Sequence, residues 1–259
     1  MRRGLRRLGA ALAPAALLLA LAGSPATAAA PVDYVALGDS YSAGTGAPPY
    51  QLNTCFRSPR GYPARWAASH AVSSFRYVAC GAATTDSMTD QFAALTPDTD
   101  LVTITIGGND VGFFTIVLNC VLGTDSSCAG AVDDGIAAGN TTLPGRLDAT
   151  YATIRGRAPN ATVVVFGYPR LVEPNGNCLS SAKRAALNRG ADALDAVISA
   201  RAAAAGLRYV DARGQFAGHG ACGAAPWINR FSVLQLVESF HPNTTGYGQG
   251  YLALLNGVT

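Results

Sequence analysis

Short β-branched and aromatic runs alternating with alanine-rich stretches predict an α/β fold, a parallel sheet covered by helices on both faces. Two further observations support that class. About 230 residues remain after an export signal, enough for one large domain where roughly 150 residues per domain is usual. No Pro- or Ser-rich linker and no internal repeat divides them.

Residues 1–30, MRRGLRRLGAALAPAALLLALAGSPATAAA, run from arginines through an apolar block to small residues, the order of a secretory signal peptide. Cleavage is expected after Ala28, because the later A-x-A site would leave Pro31 at the new terminus. The chain is thus expected to divide into a signal at 1–28 and one domain at 29–259, secreted to the outside of the cell. Within it, VDYVAL at 32–37, FRYVA at 75–79, LVTITI at 101–106, TVVVF at 162–166 and LRYV at 207–210 read as buried strands, each short and bounded by turn residues. Between Ser181 and Ala205, Leu187, Ala191, Leu194 and Ile198 fall at helical spacing, with Ser180 or Ser181 to cap the start and Gly206 to stop the end. A last helix is expected to begin near Asn243. The turns Gly38–Ser42, Cys80–Thr85 and Gly107–Asp110 each follow a strand, which places them on one rim of the sheet, where open α/β folds bind ligands.

The signal takes four of the 19 basic residues and none of the 16 acidic ones, leaving a net charge of −1 and no basic footprint for nucleic acid. No later run is long enough to span a membrane. All six cysteines follow the signal, so in an exported chain disulfides outrank free thiols and metal ligands. Sequential pairing, Cys55–Cys80, Cys120–Cys128 and Cys178–Cys222, is preferred among the 15 arrangements that six cysteines allow, because Cys120 and Cys128 bracket a short polar segment that closes easily.

A serine nucleophile needs a base, a group to orient that base, and donors aimed at the developing oxyanion. Ser40 in YVALGDSYSAGTG sits at the end of the first strand. Three histidines are candidate bases. His70 lies in GYPARWAASHA, an ordinary helical stretch, and His219 in FAGHGACG reads as a loop residue near Cys222. His241 precedes Pro242 and the last helix, on a loop that can reach the rim. Asn109 in IGGND offers a side-chain amide suited to an oxyanion hole, although, taken alone, an Asx turn after a strand explains it better. Asp39 and Asp110 flank these positions without companions at metal-ligand spacing, so neither metal nor cofactor is expected.

GDSYS around Ser40, CGAATT at Cys80–Thr85, GGND ending at Asp110 and ESFHP at Glu238–Pro242 together resemble the four sequence blocks of the GDSL, or SGNH, hydrolases. The similarity extends over nearly all of the chain after the signal, including the cysteine layout, YPARWA, FGYPR and GHGAC, and is nearest to secreted actinobacterial lipases and esterases. The pattern is not the G-x-S-x-G elbow, because Ser42 stands where that motif needs glycine. The resemblance implies a flavodoxin-like three-layer fold with a five-stranded parallel sheet in the order 2-1-3-4-5. It implies Ser40 as nucleophile and His241 as general base, with an oxyanion hole made by the Ser40 N–H, a backbone N–H of the second block and the Asn109 side chain.

Two positions depart from the family pattern. The second block's functional glycine is replaced in register by Ala82, which serves if its φ is negative; otherwise Gly81 takes the role or activity suffers. The aspartate usual three residues before the histidine is Glu238, so either a Ser-His-Glu triad forms or, as the secreted relatives suggest, a main-chain carbonyl near Ser239 orients His241 in a dyad, the arrangement preferred. These readings point to a monomeric carboxylester hydrolase of lipase, esterase or phospholipase type acting on an ester or lipid. The alternatives are a carbohydrate O-acetylesterase and a non-catalytic lipid- or glycan-binding protein. VGFFTIVL at 111–118 suits the wall of an acyl site or plain core packing, and no amphipathic lid is evident. If His241 is the base, activity rises with pH through its pKa, and a flat profile between about pH 5 and 8 would count against it.

Overall fold

The computed structural model describes residue 1 and residues 30–259; the expected signal and its cleavage site after Ala28 lie outside the described residues. Five strands, β1 (Val32–Gly38), β2 (Val72–Tyr77), β3 (Leu101–Thr105), β4 (Thr162–Phe166) and β5 (Arg208–Val210), pair in parallel in the order β2-β1-β3-β4-β5. The central strand β3 is buried along its whole length, and the hydroxyls of Thr103 and Thr105 are accommodated there by hydrogen bonds to Tyr34 and Asp39. Strand β2 lies at an edge and starts earlier than the sequence suggested. Ser73 and Ser74 mask its first half, yet Val72 pairs with Val32, and the N–H groups of Val78 and Ala79 already leave the ladder to share the Ala36 carbonyl.

Among the described residues eight α-helices surround the sheet: α1 (Ser40–Ala43), α2 (Tyr62–Ser69), α3 (Thr89–Phe92), α4 (Phe113–Leu122), α5 (Asp125–Thr141), α6 (Leu143–Arg157), α7 (Ser181–Ala204) and α8 (Leu252–Asn256). Helices α4 to α7 pack together as one group and α2 packs with α8 as another, giving the flavodoxin-like α/β/α sandwich. Ser180, not Ser181, caps α7 by accepting the Lys183 N–H, and Gly206 ends it at φ +65°.

The last helix is not uniform. Asn243 accepts the N–H groups of Thr245 and Gly246, and a π-helical stretch, Gly246–Tyr251, precedes α8. A Cβ at Gly250 would meet the Phe216 ring at 2.3 Å, so the widened turn passes only as glycine. It turns Tyr247 and Tyr251 inward, where their hydroxyls donate to the carbonyls of Thr45 and Gly167. Disulfides join Cys55 to Cys80, Cys120 to Cys128 and Cys178 to Cys222.

Candidate active site

The chain reaches Ser40 through a turn that tolerates little else. Gly38 has φ +119°, and a Cβ there would lie 2.3 Å from the Thr105 carbonyl oxygen, so β1 and β3 approach closely just before the serine. Asp39 then caps the single-turn α1. Its Oδ1 accepts the Tyr41 N–H at 3.0 Å and the Thr105 hydroxyl at 2.7 Å, while Oδ2 accepts the Tyr168 hydroxyl. Burial pushes the Asp39 pKa up to about 6 in spite of these donors. Ser42 accepts the Thr105 N–H at 2.9 Å, so the residue that breaks the elbow motif locks the turn to β3.

His241 arrives from the far end of the chain. Phe240 adopts φ +58°, and its carbonyl accepts the Tyr41 hydroxyl at 2.6 Å, which pins the histidine loop to the residue beside Ser40. His241 Nε2 lies 2.7 Å from Ser40 Oγ, and Nδ1 lies 3.1 Å from the Ser239 carbonyl oxygen. A carbonyl only accepts, so Nδ1 carries the proton and Nε2 presents its lone pair to the serine hydroxyl. The ring sits between Tyr41 and Phe113, at centroid distances of 5.1 and 5.7 Å. Burial pushes its pKa down to about 4, with the Ser239 carbonyl opposing. The pH window expected from an unperturbed histidine therefore moves down: burial favours the neutral ring, so it takes up a proton below the range in which a free imidazole titrates.

Glu238 turns away from the ring. Its Oε1 accepts the Tyr50 hydroxyl at 2.9 Å, and Tyr50 in turn accepts the Gly46 N–H at 3.0 Å. His70 and His219 are placed elsewhere, stacked on Trp66 and Trp227.

On the facing loop, Asn109 donates one Nδ2 hydrogen to the Ala83 carbonyl at 2.9 Å and keeps the second. Next to it, the buried carboxylate of Asp110 accepts both the N–H and the hydroxyl of Thr85, clamping the second block to the third. Ala82 does not have the negative φ on which its role was conditioned: it sits at φ +62°, in the left-handed region. The fallback to Gly81 is not open either, because the Gly81 N–H donates to the Cys55 carbonyl at 2.9 Å. Among the described residues no hydrogen bond engages the Ala82 N–H, and its side chain is exposed, so the left-handed conformation costs only the intrinsic penalty of about 1–2 kcal/mol. Ala82 borders a depression lined also by Cys55, Cys80, Gly81 and Gln91.

Ser40 and Asn109 open onto an apolar slot that runs between α4, α5 and α7, walled by Phe113, Ile116, Ile136, Leu171, Leu187 and Leu194. Its space, open side included, is about 740 Å³. Gly135, Gly139 and Gly190 line it from α5 and α7, where larger side chains would fill it. The sequence reading found α4 as a wall but missed α5 and α7, and it missed Tyr168, whose hydroxyl accepts the Gly108 N–H while donating to Asp39 and so joins two rim turns. FGYPR was visible as a motif; nothing in it showed that its tyrosine spans the site. Among the described residues no group of His, Cys, Asp and Glu is placed to hold a metal ion, and no helix is long and apolar enough to cross a membrane.

The profile of the GDSL-like lipase/acylhydrolase family matches residues 36–249, from within β1 to beyond His241. The chain is 44% identical over 251 residues to Lipase 1 of Streptomyces coelicolor, covering 95% of this chain and 94% of that one. The crystal structure of phospholipase A1 from Streptomyces albidoflavus superimposes with a TM-score of 0.86 at 43% identity, covering 89% of this chain and all of the other. For the extracellular lipase from Streptomyces rimosus the TM-score is 0.85 at 44% identity, covering 88% of this chain and all of the other. Sequence and backbone agree with these proteins from end to end of the sandwich, and the chain belongs to the GDSL-like lipase/acylhydrolase family.

Proposed function

We propose that the protein is a secreted, monomeric carboxylester hydrolase that takes esters of long acyl chains, with Ser40 as nucleophile and His241 as its base. The observation that carries this reading is the 2.7 Å contact between His241 Nε2 and Ser40 Oγ, with Ser40 lining the apolar slot. In the first step Ser40 Oγ attacks the ester carbonyl carbon while its proton passes to Nε2. The oxyanion is received by the Ser40 N–H, the Ala82 N–H and the free Asn109 amide hydrogen, each missing donor costing about 10²- to 10³-fold in rate. Collapse of the intermediate breaks the bond to the alkoxy oxygen, which takes the proton from Nε2 and leaves as the alcohol. Water, giving a proton to the same nitrogen, then attacks the acyl-enzyme, and Ser40 recovers that proton as the acid departs. Ser239 orients the ring through its carbonyl, so the pair works as a dyad without Glu238.

The slot supports a long acyl chain over an acetyl group. The side chains that wall it from α4, α5 and α7 are apolar, a lining that suits hydrocarbon and that an acetyl group would scarcely touch. Secretion is supported by the order of residues 1–28 and by three disulfides, which persist in oxidising compartments. The test is hydrolysis of a chromogenic ester series, acetyl to long acyl, by residues 29–259 and by Ser40→Ala. The variant should lose at least about 10³-fold in kcat. Parental kcat/KM should rise with chain length, and the loss due to the imidazole taking up a proton should come towards pH 4; a fall nearer pH 6 would follow Asp39, the cap of the nucleophile turn. Undiminished turnover by Ser40→Ala would overturn the assignment.

A further inference from the structure

We propose that Tyr168 is a positioning residue whose hydroxyl, seated between Asp39 and Gly108, fixes the distance from the Ser40 N–H to the Asn109 amide and so the width of the oxyanion hole; the proposal rests on the ester-hydrolase reading and adds what holds the hole in shape. These two donors belong to different loops. The Ser40 N–H follows β1 and the Asn109 side chain follows β3, and each loop leaves its strand through a glycine of positive φ, Gly38 at +119° and Gly107 at +116°. Pairing of the two strands ends at Gly38 and Thr105, and the Asp39 N–H makes the last backbone bond across, to the Thr105 carbonyl at 2.9 Å. Beyond Thr105, among the described residues, no hydrogen bond runs directly from the Ser40 turn to the loop of Asn109.

Tyr168 closes that gap from a third strand. It stands two residues past β4, which lies on the far side of β3 from β1, and neighbouring strands are about 4.8 Å apart, so only a long side chain spans the distance. Its hydroxyl accepts the Gly108 N–H at 3.1 Å and donates to Asp39 Oδ2. Gly108 and Asp39 are the residues immediately before Asn109 and Ser40, so a single oxygen atom ties down the approach to both donors. The ring is held as well. A Cβ at Gly108 would lie 3.3 Å from the phenol carbon that bears the hydroxyl, and the ring meets that of Tyr41 edge-on at 5.1 Å.

The backbone beneath the ring is fixed from α7. Asp195 Oδ1 accepts the Tyr168 N–H at 2.8 Å, and the preceding residue, Gly167, donates to the Val210 carbonyl and accepts the Tyr251 hydroxyl. Asp195 is fully buried, which pushes its pKa up to about 7, so the helix keeps a poorly solvated carboxyl group at the point where it anchors this tyrosine. Phenylalanine would pack the same space. It lacks the one group that addresses both loops, and an oxyanion hole works only with its donors about 2.7–3.1 Å from the charged oxygen.

The test is a kinetic cycle on residues 29–259 with a soluble acetyl ester. Tyr168→Phe should lower kcat about 10- to 10²-fold, the scale of misplacing a reacting group by about 1 Å, with KM within about three-fold of the parent. In an Asn109→Ala background the hydroxyl has no second donor to space, and Y168F should cost less than about three-fold more. Tyr251→Phe, which takes a buried hydroxyl from the adjoining Gly167 carbonyl, should keep kcat within about three-fold, because that hydroxyl bonds to neither loop. An unchanged kcat in Y168F, a loss seen in KM alone, an equal loss in Y251F, or the same loss with and without Asn109 would overturn the proposal. If Y168F does not fold, Asp195→Ala, which removes the acceptor of the Tyr168 N–H and leaves the hydroxyl, enters the cycle in its place, with the same outcomes deciding. A parent inert on every ester, or turnover undiminished in Ser40→Ala, would remove the hydrolase reading and this proposal with it; an active parent that depends on Ser40 but not on Tyr168 would remove this proposal alone.

Discussion

Glu238 and Ala82 are the two positions where the chain parts from its family pattern, and both follow from local geometry. Glu238 has one methylene more than the aspartate found there in many relatives, and its carboxylate meets Tyr50 instead of His241. Glu238→Gln keeps a hydrogen-bond acceptor for Tyr50, so kcat should stay within about three-fold of the parent; a loss near 10⁴-fold, the scale seen when a triad carboxylate is neutralised, would restore the triad. Ala82 holds φ +62°, which glycine reaches without penalty. Ala82→Gly should leave kcat within a few-fold, because the N–H is unchanged. The relief of the left-handed penalty is offset by the greater chain entropy of glycine when unfolded, so stability measured by urea should move by less than about 1 kcal/mol. A large fall in kcat would show that the alanine methyl itself serves the site. Ser40, His241 and Asn109 were legible because short motifs carry them. Tyr41, Tyr50 and Tyr168 were not, since a tyrosine hydroxyl that joins two loops leaves no periodic trace in sequence.

At the scale of elements, the strands were readable wherever both faces are buried, and blurred at β2, whose edge position admits serines. Helix α7 declared itself by its cap and spacing. Helix α5 did not, because DSSCAGAVDDGIAAGNT carries glycines that a sequence reading assigns to turns. Those glycines have a use in the slot. A Cβ at Gly135 would meet Ile116 at 2.7 Å, whereas one at Gly139 would rest 3.6 Å from Val111, an ordinary contact. Gly139→Leu should therefore be tolerated, aided by a better helix former, while its branches fill the bore. We expect kcat/KM for long-chain esters to fall at least about ten-fold, with acetyl ester turnover little changed, since closing a hydrophobic pocket by a few methylene volumes is worth about 1–3 kcal/mol. A uniform loss across chain lengths would show that the acyl chain lies elsewhere.

At the scale of the whole molecule, the six-cysteine layout gives a graded expectation. Cys178–Cys222 spans 44 positions and Cys120–Cys128 spans 8, so removing the first pair as alanines should cost about 1–2 kcal/mol more than removing the second, read from denaturant midpoints. Equal costs would mean that the unfolded chain does not behave as a flexible loop between these residues. The sheet order followed from family resemblance alone; alternating strands and helices fix a parallel sheet but not which strand lies where. One long-range contact has a further consequence. Ser40 and His241 stand 201 positions apart in the sequence, yet their side chains meet at 2.7 Å. No imidazole lies against the serine until the backbone beyond residue 240 has docked, so the Ser–His pair exists only in a chain whose first strand and last loop have both reached their places.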